Sequence, residues 1–442
     1  MDKRIAVIGG GISGLTTAFL LKQNGFGVTI FEASDTVGGN IQTIEQDGYT
    51  IEQGPNSLLR SRRVIDLIRL LGLEAEVLGA NPAARKRYIL SDGRLNALGP
   101  KSFINGYFSL KALLGLAREP FVRSRSPANE SVAEFVSRRI GQEFLDKAVD
   151  PFVSGIYAGD PTDLSIRSAF PKLYEMERRF GSLILGAVLS KREKFDPNFP
   201  RTFSFRGGLA TLTNALQDAL GPDIRLRTPV DSIRSESGGG FRIDGEAFES
   251  VVVSTPARAA AEFVNDNRLS AMLREVKYPQ VAVVVLGFRT QKIGTELDGF
   301  GFLIPSSEKR PILGTLFPSA VFPERAPNDY QLLTTFVGGV RAEAKLDGQD
   351  DDELAAMVRD QLRNVLRIEG QPAFRHITRW KHAIPQYRIG YERLTNACAS
   401  FEASNPGFYF CSNFFRGISV GDCVRNAFMT AENIERYLQA VA

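Results

Sequence analysis

The sequence predicts an α/β protein with three parts: a Rossmann-like dinucleotide-binding domain assembled from separated stretches of chain, a mixed α+β second domain and a mainly helical insertion. The N-terminal stretch "RIAVIGGGISGLTTAFLLKQNGFGVTIFEAS" reads as strand, glycine turn, helix, strand. Strand-length apolar runs return much later, at "FESVVVSTP" and at Phe408 to Cys411, and a dinucleotide fold needs more parallel strands than the N-terminus supplies. Between them, "VAVVVLGF", "GFGFLIP", "ILGTLFPS" and "YQLLTTFVGG" form a strand-rich tract followed by a polar helix, Asp350 to Leu366. At 442 residues the chain exceeds what one hydrophobic core usually supports.

In the first segment, residues 1–82, Arg4 to Ile8 is a buried-strand run and Val28 to Phe31 a second. Between them Gly9-x-Gly11-x-x-Gly14, with Gly10, Ile12 and Ser13 in the same turn, offers a bare approach for a pyrophosphate and opens a helix. The positive N-terminus of that helix points at the phosphates. Glu32 and Ala33 end the second strand, and Glu32 lies 21 residues after Gly11, where a carboxylate accepts hydrogen bonds from a ribose hydroxyl. Gly38 and Gly39, then Asn40, then "DGYTIEQGPNSL" follow.

Residues 83–200 read as mainly helical through Lys194. Within them "FINGYFSLKALLGLAREPFVRSR" mixes aromatics and leucines with basic residues, which suits a membrane-facing or ligand-facing surface or a helix packed on its own domain. Residues 201–265 return to the dinucleotide domain: Gly207-Gly208 introduces a helix, and "IRLRTPVDSI" and "FESVVVSTP" read as strands. The strand-rich tract and its covering helix, 266–384, suit a substrate domain. Residues 385–442 close the dinucleotide domain with a strand and a glycine turn, "GISVGDCV", entering a long helix.

Composition excludes several functions. Three cysteines at wide spacing, Cys398, Cys411 and Cys423, make no disulfide framework, zinc ribbon or redox C-x-x-C and suit a reducing, cytoplasmic compartment. With only two histidines, His376 and His382, neither a His-rich metal site nor a His-based triad is expected, and no metal is predicted. A net charge of +4 with scattered basic residues gives no case for nucleic acid. "MDKRIAVIGGG" passes straight into a strand, so no signal or transit peptide is expected, and no apolar run approaches the roughly 20 residues that span a bilayer.

An acid followed six residues on by paired glycines resembles the flavin-dependent amine oxidase superfamily, whose dinucleotide is FAD. "GPNSL", "KRYILSDGRLNAL", "DPFVSGIYAGDPTDLS", "FSFRGGLATL", "AIPQYRIG" and "GISVGDCV" extend the likeness over nearly the whole chain to the oxygen-dependent, FAD-containing protoporphyrinogen oxidases. The resemblance implies non-covalent FAD held at Gly9 to Gly14, Glu32, Ala33, Asn40, Gly54, Pro55, Asn56, Ser57, Val230, Trp380, Ile418, Ser419 and Val420. It implies six-electron oxidation of protoporphyrinogen IX, in three rounds of hydride transfer to the flavin with molecular oxygen as acceptor and hydrogen peroxide as product.

For the substrate it implies Gly155 and Gly159 in "SGIYAG", whose backbone carbonyls receive pyrrole N–H groups, against the alternative of a tight helix-to-loop packing segment. Arg87 in "KRYIL" would grip a propionate, and Leu303 and Phe322 would be apolar walls if not simply core. The family usually has histidine where this chain has Tyr391, and no residue, His382 included, stands out as a general base. Peripheral contact with the inner face of a membrane and a homodimer are further implications. Coproporphyrinogen III is the nearest alternative substrate; an amine oxidase, a carotenoid desaturase and a flavin-binding protein without oxidase activity are more distant ones.

Overall fold

Strand Arg4–Ile8, apolar and buried from Ile5 onward, sits at the centre of a five-stranded parallel sheet. The order is Ile224–Arg225, Gly27–Phe31, Arg4–Ile8, Ser250–Val253, Phe408–Phe410, so three distant stretches of chain complete one sheet. The chain leaves Arg4–Ile8 toward Gly27–Phe31 on one side and returns on the other at Ser250–Val253, which makes its C-terminal end the topological switch point. The computed structural model describes residues 3–99, 101–190 and 195–441.

Helix Ile12–Gln23 is buried from Ile12 to Leu21, the signature of a core helix. It packs between the sheet and the helices Ala210–Leu220 and Val420–Ala440. Gly207-Gly208 precedes the first of these as expected, and Ser419 caps the second in a capping box with Asp422.

The second sheet has seven strands in the order Phe374–Trp380, Val281–Arg289, Tyr330–Gly338, Ile312–Leu316, Gly299–Leu303, Lys86–Ser91, Arg94–Ala97. Pairing is antiparallel except between Gly299–Leu303 and Lys86–Ser91. Helix Asp351–Leu366 covers one face, burying Leu354, Val358, Leu362 and Leu366 on the helical repeat.

Two local expectations fail. The stretch 83–200 opens with a hairpin, Lys86–Ser91 and Arg94–Ala97, that joins the seven-stranded sheet. The turn between them is Asp92-Gly93, both with positive φ (51° and 71°), a two-residue hairpin signal present in the sequence. In "IRLRTPVDSI" only Ile224–Arg225 pairs, because Arg227 takes φ 53° and Pro229 has no N–H to donate.

The other elements of 83–200 among the described residues are helices joined by loops, with a π-helical stretch, Leu145–Val149, leading into Asp150–Tyr157. The expected helical run reaches Leu189; Lys191 to Lys194 lie outside the described residues. No helix among the described residues is long and apolar enough to cross a membrane.

Candidate functional site

A cavity of about 1940 Å³ opens at the switch point and extends to one face of the seven-stranded sheet and to helix Asp150–Tyr157. Its first wall is the glycine turn. Gly9 has φ 105°, and Gly14 is bare because a Cβ there would lie 2.1 Å from the Gly9 carbonyl oxygen and 2.4 Å from Ser254 Oγ. Gly11 differs: its φ is −76°, and a Cβ would meet no protein atom within 4 Å. Protein packing therefore asks for Gly14, and only a group from outside the chain asks for Gly11.

The paired glycines seat against this turn. Gly38 N–H donates to the Gly10 carbonyl at 2.8 Å, and Gly39 lies so close that its Cβ would be 3.4 Å from Gly11 Cα. Helix Ile12–Gln23 has no side-chain cap and no acid in its first turn, so its first N–H groups face the turn unneutralised and fit a pyrophosphate. Glu32 is fixed at the strand end by N–H groups of Gly10 (2.5 Å) and Ser34 (2.8 Å). A nucleotide diphosphate with a ribose thus has a matching cradle.

Further along, Gly54 lies against Asn40, where a Cβ would stand 2.0 Å from the Asn40 carbonyl oxygen. Trp380 Nε1 donates to the Gln53 carbonyl at 2.6 Å, and Asn56 Nδ2 to that of Gly54 at 3.0 Å, which fixes the loop Gly54–Ser57. The structure brings the expected cofactor residues together on this cavity, apart from Gly10 and Gly14, which stand behind it. No cluster able to hold a metal occurs among the described residues.

The expected substrate residues divide. Gly155 and Leu303 share the cavity wall, and Gly155 presses on Leu303. Gly159 does not reach the wall; a Cβ there would strike Gln386 Oε1 at 2.4 Å, so packing explains that glycine. Phe322 is 3% exposed and sits behind the wall, beside Phe300 and the buried Arg325. Arg87 also lies outside the lining, with its guanidinium 5.3 Å from the centre of the Phe300 ring, which does line it. Its strand lies one in from the sheet edge, and the long side chain takes the Phe300 ring face.

Helix Asp150–Tyr157 ends at Ala158 in the left-handed region, φ 50°. Tyr157 and Ala158 carbonyls are taken by Gln386 Nε2 (2.8 Å) and Val340 N–H (2.8 Å). Those of Gly155 and Ile156 accept no bond from the main chain beyond the helix among the described residues.

Tyr391, the departure from the resembled pattern, stacks on Tyr387 at 4.4 Å and donates to the Phe414 carbonyl at 2.8 Å. Burial holds both phenols well above their ordinary pKa, so they act as neutral hydrogen-bonding struts for the loop 413–417. His382 lines the cavity and is exposed.

Sequence reasoning missed Leu313 and Phe336 as apolar walls and Arg167 and Lys172 as cations on the rim. Arg63, Arg416 and Arg425, also on the lining, are paired with Glu432, Glu402 and Asp422; Arg60, Arg62, Arg167 and Lys172 have no carboxylate partner among the described residues. "LSIRSAFPKL" carried no signal beyond two basic residues in a helical stretch.

The chain matches the family Flavin containing amine oxidoreductase over residues 12–435 and belongs to it. It is an FAD-dependent oxidase, and FAD is the dinucleotide that the cradle fits. More narrowly, it is similar to protoporphyrinogen oxidases: the mitochondrial enzyme of Nicotiana tabacum is 34% identical, covering 100% of this chain and 96% of its own. Coproporphyrinogen III oxidase of Bacillus subtilis is 31% identical, covering 96% of each. A crystal structure from Exiguobacterium sp. 255-15, named "Putative protoporphyrinogen oxidase", superposes with a TM-score of 0.81 at 25% identity, covering 98% of this chain and 99% of that one.

Proposed function

We propose that this protein carries out the oxygen-dependent, six-electron oxidation of protoporphyrinogen IX to protoporphyrin IX in tetrapyrrole biosynthesis. The observation that carries the reading is the continuity of the dinucleotide cradle with a large cavity walled by Leu303, Leu313 and Phe336. Bound FAD supplies the hydride acceptor, which oxygen restores with release of hydrogen peroxide. The protein's part is to seat an apolar macrocycle and exclude water around it. Gly155 and Ile156 carbonyls, in the helix end that lines the cavity, suit pyrrole N–H donors.

Lining cations without a carboxylate partner among the described residues, Arg167 and Lys172 with them, favour a second reading, coproporphyrinogen III, which carries two more propionates. Aerobic oxidation of both porphyrinogens side by side, followed by porphyrin fluorescence and peroxide, separates them. A preference for protoporphyrinogen IX supports the first reading, a preference for coproporphyrinogen III the second, and FAD-loaded protein that oxidises neither above the uncatalysed rate sinks both.

The proposal includes peripheral contact with an anionic membrane surface, in a cytoplasmic protein. Phe121 and Val188 are 78% and 73% exposed, on neighbouring elements that also expose Leu110, Leu114 and Leu189, and Ile104, shortly before them in the chain, is 84% exposed. Exposed Lys111, Arg118, Arg123 and Arg125 accompany them. Flotation with anionic vesicles at low salt, and its loss in Phe121→Asp, is the expected result; protein that stays in the aqueous fraction overturns this part. A homodimer, also implied by the resemblance, predicts twice the chain mass in light scattering, and the chain mass alone would overturn it.

A further inference from the structure

We propose that Arg341 is a positioning residue for the oxidation site, one that sets where the cavity-lining end of helix Asp150–Tyr157 stands; this rests on the functional reading above. Arg341 follows strand Tyr330–Gly338 across a turn in which Gly338 and Gly339 have φ 100° and 69°. Its Nη2 donates to Asp150 Oδ1, and its Nε lies 3.4 Å from Asp160 Oδ2. One guanidinium thus holds the first residue of the helix and the residue two beyond its left-handed end. Asp150 Oδ2 accepts a further bond, 2.7 Å, from Ser306 N–H of the same domain.

The main chain repeats the contact. Val340 N–H donates to the Ala158 carbonyl at 2.8 Å, and a Cβ on Gly339 would lie 2.6 Å from that oxygen. The Asp150 side chain is 7% exposed and that of Arg341 18%, so water weakens the pair little. The arrangement matters because of what precedes it: Leu145–Val149 is π-helical, a wider turn that interrupts the regular α-helical ladder just before this helix. A slide of the following helix would carry Gly155 off Leu303 and move the Ser154–Ala158 wall of the cavity. The two-armed guanidinium opposes that slide, whereas a lysine ammonium is a point charge that reaches one carboxylate at a time.

The test uses full-length, FAD-loaded protein with Arg341→Lys, Arg341→Met and Asp160→Asn. Flavin content, thermal midpoint, kcat and KM, and the rate of anaerobic flavin bleaching at saturating porphyrinogen are measured. Arg341 touches none of the cofactor wall, so flavin content is expected to stay at the wild-type ratio. Bleaching is expected to slow about tenfold in Arg341→Lys and up to about a hundredfold in Arg341→Met, in line with the cost of a misplacement of about 1 Å.

Asp160→Asn keeps the Asp150 arm and is expected to fall between wild type and Arg341→Lys, and it serves if the arginine variants fail to fold. Bleaching rates within twofold of wild type in the folded variants overturn the inference while leaving the oxidase reading intact. Wild-type flavin that neither porphyrinogen bleaches overturns that reading, and this inference with it.

Discussion

Gly155 and Leu303 meet in the cavity wall with no room for another atom: a Cβ on Gly155 would stand 2.4 Å from Leu303 Cδ2. Gly155→Ala is therefore expected to push the leucine into the cavity and raise KM about tenfold, some 1.4 kcal/mol. Adding Leu303→Ala should restore much of the loss, a coupling of about 0.5 kcal/mol or more. Steady-state kinetics of the two single variants and the double variant decide it; strictly additive losses would show that the contact does not shape the substrate site.

The glycine turn yields a paired prediction. Gly11→Ala meets no protein atom, so the apoprotein's thermal midpoint should hold while FAD affinity falls at least about tenfold. Gly14→Ala collides with Gly9 and Ser254 and should destabilise the apoprotein by about 1–3 kcal/mol. Flavin titration alongside thermal melts separates the two; equal loss of stability in both would contradict it.

Neutralising the rim should discriminate substrates. Arg167→Gln combined with Lys172→Gln is expected to raise KM for coproporphyrinogen III more than for protoporphyrinogen IX, by a further factor of about 3–10. Arg87→Gln, at the far side of Phe300, should move either value less. Equal effects on both substrates would remove Arg167 and Lys172 from carboxylate recognition.

Acid sensitivity has a local source at the sheet edge. Hydrogen bonds from Arg225 and Arg4 hold the Glu246 carboxyl down at about 2, against roughly 4.3 for a free glutamate. Because the folded value is the depressed one, the stabilisation is complete above pH ~4.3 and lost as pH falls toward 2. Glu246→Gln should lower stability slightly at neutral pH, since the pair is well solvated, and flatten the decline between those limits. Urea melts at pH 6, 4 and 3 give the difference, and identical slopes in both proteins would count against it.

Much of the cofactor cradle was legible because its residues act through the main chain. Glycines at Gly9, Gly11, Gly14, Gly38 and Gly39 carry their reason in the sequence, since bare backbone at fixed spacing has few other uses. The three-part sheet was legible from the apolar runs alone. Side-chain placement was not. Nothing local says that Arg87 turns onto Phe300, or that Phe322 stands one layer behind the wall, because both depend on the parallel pairing of Lys86–Ser91 with Gly299–Leu303, two stretches far apart in the chain. Gly159 misled for a related reason: a glycine that avoids Gln386 looks, in sequence, like one that makes way for a ligand.

Completion of the parallel sheet by Phe408–Phe410 sets an order of events during synthesis. The edge of Ser250–Val253 is ready to pair some 155 residues before its neighbour leaves the ribosome, a wait of roughly 8–30 s at ordinary elongation rates. Over that time helix Ile12–Gln23 also lacks its partner, Val420–Ala440. The nascent chain therefore carries an open strand edge and an uncovered apolar helix until Phe408–Phe410 and Val420–Ala440 have emerged, a natural client for chaperones and a hazard for rapid overexpression.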